Sequence, residues 1–113
     1  MATPKDMLAY IGSKVEGASY REPFDICTLR LDDYAKIEYD PDNQEWRYGG
    51  GTVWLMEKYR VDVRWLLNKD GTDSFVAKTV VSGVPRCPSV VRAAPTVTEA
   101  VVRCTYALLG GTE

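Results

Sequence analysis

Residues 52–67, Thr-Val-Trp-Leu-Met-Glu-Lys-Tyr-Arg-Val-Asp-Val-Arg-Trp-Leu-Leu, admit two periodicities, and the choice between them sets how much of the chain is sheet. Tyr59, Val61, Val63 and Trp65 alternate with Arg60, Asp62 and Arg64, the period-2 pattern of a half-buried strand. Leu55, Met56, Tyr59, Val63 and Leu66 also fall on one side of a helix. The β-branched and aromatic residues favour a strand from about Tyr59. A central helix between Val53 and Leu67 is the competing picture.

The flanks are consistent with a sheet. After residue 67, Asn68-Lys69-Asp70-Gly71 carries turn chemistry, and Phe75 to Val81 reads as the partner strand. Before residue 52, Ala35, Ile37 and Tyr39 alternate with Lys36 and Glu38. Asp40-Pro41-Asp42-Asn43 forms a turn, Glu45 to Tyr48 a return strand, and Gly49-Gly50-Gly51 ends it. Phe24, Ile26, Leu29 and Leu31 follow no single period and suit either a bulged strand or a short helix. Residues Ala18 to Pro23 read as loop, as do Ser82 to Ala94 with Gly83, Pro85 and Pro88.

Two helices frame this region. Thr3 caps the first, with Pro4 at its first position and Asp6 three residues after the cap. Met7, Leu8, Ile11 and Val15 repeat at helical spacing, and Gly17 can stop it. Thr96-Val97-Thr98-Glu99 has capping-box spacing. Val97, Ala100, Val101, Cys104, Ala107 and Leu108 then make an apolar stripe that ends at Gly110-Gly111. The expected fold is α+β: one domain over 1–113, with an antiparallel sheet of three to five strands packed by an N-terminal and a C-terminal helix.

Composition narrows the function. The 14 basic and 16 acidic residues are interspersed, so there is neither the basic face of a nucleic-acid binder nor a dense acidic run. No apolar run approaches the ~20 residues that cross a bilayer. The N-terminus lacks a signal-peptide pattern, and three cysteines without a C-x-x-C pair suit a reducing compartment. The expectation is a cytoplasmic protein without a membrane or cofactor role.

The chain has no histidine, which removes imidazole acid–base chemistry, Ser-His and Cys-His pairs, and most zinc sites. Cys27 and Cys104 sit in apolar settings and read as core, while Cys87 lies in the Pro-bounded loop. Asp32-Asp33 is a carboxylate pair. Asp40, Asp42 and Gln44 alternate like a calcium loop, but Trp46 breaks the series and no central Gly follows, which favours a turn. The glycine run matches neither dinucleotide nor P-loop spacing and reads first as a hinge. An enzyme is not expected.

Trp46, Arg47 and Tyr48, followed by Gly50, form the candidate binding patch, because Trp, Tyr and Arg dominate interface hot spots. The alternative is that the aromatics pack on a helix and Arg47 faces solvent. Arg60 and Arg64, with Lys58, form a small basic strip if residues 58–64 are extended. A solvated sheet face is the plain reading, and an acidic or nucleotide partner the sharper one.

Met7 to Gly17, and Ala94-Pro95-Thr96-Val97-Thr98-Glu99-Ala100-Val101-Val102-Arg103-Cys104, resemble the opening helix and the closing link and helix of small bacteriophage proteins of the phage ABA sandwich domain type. The glycine run and the charged segment after it depart from that family. The resemblance implies a phage-type viral protein, an accessory factor acting in the host cytosol. It implies no functional residue. On it rests the expectation of a protein that binds and inhibits or modulates a host protein, as in evasion of host defence. A small-molecule or nucleotide-sequestering protein is the alternative, and a virion structural protein, with homo-oligomeric assembly, is the third.

The cysteine reading makes a direct prediction. Cys27 and Cys104 will stay unlabelled by a bulky thiol reagent without denaturant, and a reductant will leave the melt unchanged. Rapid labelling of either residue in the native protein would exclude a core position for it.

Overall fold

The computed structural model describes residues 2–48, 50–79 and 90–112. Gly49, Cys87 and the stretch 80–89, which holds most of the expected cross-domain loop and the last two residues of its preceding strand, lie outside them. The described elements are α1 (Pro4–Lys14), β1 (Ser19–Arg21), β2 (Cys27–Arg30), β3 (Lys36–Asp40), β4 (Glu45–Tyr48), α2 (Gly51–Tyr59), β5 (Val61–Leu67), β6 (Asp73–Thr79), β7 (Val91–Ala94) and α3 (Val97–Leu108). The fold is α+β with a helix near each end. All strand pairs are antiparallel, and they divide between a four-stranded sheet, β1-β2-β3-β4, and a three-stranded sheet, β5-β6-β7. None of the helices among the described residues is long and apolar enough to cross a membrane.

Residues 52–67 hold both structures that their sequence allows, end to end. Gly51–Tyr59 is helix and Val61–Leu67 is strand. Arg60 lies between them with φ +53°, in the left-handed region, and its amide donates to the Met56 carbonyl as the helix closes. Of the helical set, Leu55, Met56 and Tyr59 lie in α2 while Val63 and Leu66 lie in β5; of the alternating set, Val61, Val63 and Trp65 lie in β5 while Tyr59 ends α2.

Two stretches read as loop contain strand. Ser19–Arg21 pairs with Thr28–Arg30, and Val91–Ala94 pairs with Phe75–Lys78. Both are three- or four-residue edge strands, too short to show a period. The apolar residues from Phe24 to Leu31 split likewise: a tight turn at Pro23–Asp25, with Phe24 and Asp25 both at positive φ, precedes β2.

Gly50 and Gly51 lead into α2. Gly50 caps α2 with φ +90°, and its carbonyl accepts from the Trp54 amide at 3.1 Å. Gly51 touches β3 so closely that a β-carbon there would lie 2.6 Å from the Lys36 carbonyl oxygen and from Ile37 Cγ1. Backbone-to-backbone approach of this kind is open only to glycine.

Helix α3 is the hub. Thr98, Ala100, Val101, Val102, Cys104, Thr105 and Tyr106 are buried, a spread around nearly the whole helix. It packs on α1, α2 and all three strands of the second sheet. Its start is half of the expected capping box: Thr96 Oγ1 accepts from the Glu99 amide at 3.2 Å, while the Glu99 carboxylate turns to Arg103 at 3.7 Å. The complete box is at α1, where Thr3 and Asp6 exchange both bonds. At the far end Gly111 lies against the Tyr106 ring, and the Tyr10 hydroxyl donates to the Leu109 carbonyl at 3.0 Å. Cys27 and Cys104 are buried, and burial pushes the Cys104 thiol up to about 11, so it stays protonated near neutral pH.

The close approach at Gly51 is a testable constraint. Gly51→Ala will destabilise the fold by about 1–3 kcal/mol through overpacking against the Lys36 backbone. A denaturant midpoint equal to wild type would show that α2 and β3 can separate at no cost.

Candidate functional site

The Asp40-Pro41-Asp42-Asn43 turn sets the position of β4. One oxygen of Asp40 accepts from the amides of Asp42 (3.0 Å) and Asn43 (3.4 Å); the other accepts from the Asn43 side-chain amide (2.7 Å) and the Arg47 guanidinium (3.3 Å). These donors, the Asn43 side chain first, hold the Asp40 carboxyl below the usual carboxylate range. Its oxygens are therefore taken up in building the turn. Asp32 works the same way between β2 and β3, accepting from the Tyr34 and Ala35 amides at 2.7 and 2.6 Å.

Strand alternation then sorts the candidate patch onto two faces. Trp46 lies opposite Tyr39, with ring centroids 4.8 Å apart. Arg47 lies opposite Glu38 on the other face, where its guanidinium meets Asp40 and comes within 3.8 Å of Glu45. Tyr48 pairs with Ile37 through its backbone, and its side chain is outside the described residues. The proposed grouping of Trp46 with Arg47 is therefore split by the sheet.

Trp46 is half-buried and lines an open cleft of about 770 Å³. The hairpin supplies Asn43 and Gln44 from its turn and Glu45 from the start of β4. Helix α2 contributes Thr52, Val53 and Met56, three positions on one of its sides. Phe75 of β6 and the link into α3, Pro95 to Thr98, complete the wall. The buried hydroxyls of Thr52 and Thr98 bond at 3.0 Å and tie α2 to the first turn of α3. Trp46, Val53, Met56, Phe75, Pro95 and Val97 make the lining mainly apolar, and Val53 is 55% exposed within it. Among the described residues, no lysine or arginine lines the cleft.

The other sequence candidates lie elsewhere. Gly50 caps α2 and has no side chain to offer. Lys58 sits above the Trp54 ring at 5.3 Å on α2, Arg60 occupies the helix-to-strand turn, and exposed Arg64 on β5 is 3.5 Å from Asp62. The left-handed turn at Arg60 breaks the extended run that would have aligned these cations into one strip. The apolar cleft residues that sequence reasoning missed are Val53, Met56, Phe75, Pro95 and Val97. Each reads alone as ordinary helix, strand or link. An apolar residue on the exposed side of α2, Val53, is the sequence signal that could have drawn attention.

The structure defines an α+β protein with an apolar cleft between a hairpin and two helices. No protein-family model, curated protein or solved structure matches the chain.

The Asp40 turn gives a pH prediction. A carboxyl lowered on folding contributes stability above its unfolded pKa, and that stability is lost as pH falls through the folded value. Asp40→Asn will melt below wild type at pH 7, and the two melting curves will converge as pH is lowered past about 4. Parallel melting temperatures across that range would show that the carboxylate's charge is not what holds the turn.

Proposed function

We propose that the chain is a non-enzymatic binding protein whose cleft receives an apolar segment of a protein partner. In the wider reading it is a phage-type accessory factor that inhibits or modulates a host protein, one of a defence system being the partner that reading suits. The observation carrying the proposal is the cleft's lining: Trp46, Val53, Met56, Phe75 and Val97 converge on one concavity whose lining is completed by polar residues such as Asn43, Gln44 and Thr96. Buried aromatic and aliphatic anchors ringed by polar residues are the pattern of interface hot spots.

The nucleotide-binding alternative asks for cations near the aromatic. Arg47 is on the opposite face of the hairpin with the Glu45 carboxylate 3.8 Å from its guanidinium, and Arg60 and Arg64 are outside the cleft. A phosphate in the cleft would meet no guanidinium or ammonium among the described residues, which favours an uncharged polypeptide surface. Catalysis finds little support. The chain has no histidine, and the one acidic residue of the lining among the described residues, Glu45, turns its carboxylate toward Arg47.

Val53→Asp places a charge in the cleft from an exposed helix position, so its melt should stay within about 0.5 kcal/mol of wild type. Immobilised wild-type chain will retain a bacterial protein that Val53→Asp does not. With that protein purified, the variant will bind more weakly by on the order of 1–3 kcal/mol. A nucleotide panel will leave the wild-type melting temperature unchanged. Equal partner retention by the variant, or stabilisation by a nucleotide that Trp46→Ala abolishes, would overturn the proposal.

A further inference from the structure

Strand β5 stands at one end of the order β5-β6-β7. Its seven residues make it longer than the other edge strand of that sheet, β7, which has four. From Arg64 to Leu67 every residue is exposed, although successive side chains point to opposite faces. Trp65, Leu66 and Leu67 are 61%, 52% and 57% exposed, so both faces of the sheet lie open at this end. Along an outer strand, alternate backbone N–H and C=O groups point away from the sheet and form a template for another strand.

Such edges are commonly blunted by charge, and β5 carries Asp62 and Arg64, both exposed and 3.5 Å apart. Their signs are opposite and their spacing is two, so what they exclude depends on the incoming strand. If a second copy adds its own β5, the two sheets join antiparallel about a two-fold axis perpendicular to them. That axis must pass through one residue and its own copy, because only then do side chains keep their faces. Centring on Asp62 or on Arg64 sets a charge against itself. Centring on Trp65 opposes Arg64 to Leu66. Centring on Val63 opposes Asp62 of each copy to Arg64 of the other, twice, and sets Val61 against Trp65 on the other face.

We infer that β5 is a self-complementary edge, and that two copies of the chain pair through it in the register centred on Val63. The opposed charges that guard the strand against other edges are satisfied by its own copy. The two three-stranded sheets become one six-stranded sheet, and the second copy's strand covers part of the exposed apolar run. This edge is separate from the cleft, and the pairing stands whether or not the cleft binds a partner.

Sedimentation or light-scattering mass, followed over a concentration series, tests the inference. The wild type will rise from one chain mass to two. Asp62→Arg and Arg64→Asp, at exposed positions, will each keep the native circular dichroism spectrum. Each sets like charges opposite one another in the dimer and will weaken dimerisation roughly tenfold or more. When the two variants are mixed in equal amounts, each cation of one chain again faces an anion of the other at both opposed pairs. The mixture will therefore recover the two-chain mass as a heterodimer. A second readout needs no variant: β5 amides pointing away from β6 will gain hydrogen-exchange protection as wild-type concentration rises. A wild type that stays monomeric, single reversals with wild-type mass, or a mixture that stays monomeric would each overturn the inference.

Discussion

The burial of α3 is the constraint on which the other elements depend. A twelve-residue helix with seven buried positions cannot be served by one neighbour, since a single sheet covers only one stripe of a helix. Here the second sheet takes one side, α1 another and α2 a third. Small residues make this possible: Ala100, Cys104 and Thr105 let neighbours approach closely, and Val101 and Val102 fill the space between. The second sheet therefore packs on α3 directly, while the first sheet is joined to it mainly through α1 and α2.

The cleft is a by-product of how α2 reaches α3. The chain turns out of β4 at Gly50, passes against β3 at Gly51, and turns again at Arg60 into β5. Those two turns hold α2 between the sheets with its Thr52 side bonded to Thr98 of α3. The next residue, Val53, is left facing the gap between the hairpin and the second sheet. Trp46, held against Tyr39 by cross-strand pairing, closes the gap from the other side. An anchor-lined concavity thus arises where the hairpin, α2 and the second sheet meet without filling the space between them.

Much of this fold was legible in the chain itself, for local reasons. Caps and stripes are encoded within a few residues, so α1 and α3 could be placed from Thr3 and Thr96 onward. The β3–β4 hairpin was legible because its alternation and its Asp-Pro-Asp-Asn turn are adjacent. The short edge strands β1 and β7 were not, because three or four residues carry no readable period. The strand count was legible only as one sheet. Which strands share a sheet depends on contacts between residues far apart in sequence.

The candidate site divides the same way. The sequence by itself determined the chemistry on offer: no imidazole, balanced charge, and an aromatic at Trp46 beside a turn. It also determined the possible conformations of residues 52–67, though not their boundary, since helical and alternating patterns overlap there. Only the tertiary structure decided that Trp46 and Arg47 face opposite sides of a sheet, and that Trp46 meets Val53, Met56 and Phe75 across a cleft. The physical reason is that strand alternation assigns a side chain to one of two faces. Which face is covered, and by what, depends on packing between elements tens of residues apart, of which local sequence holds no record.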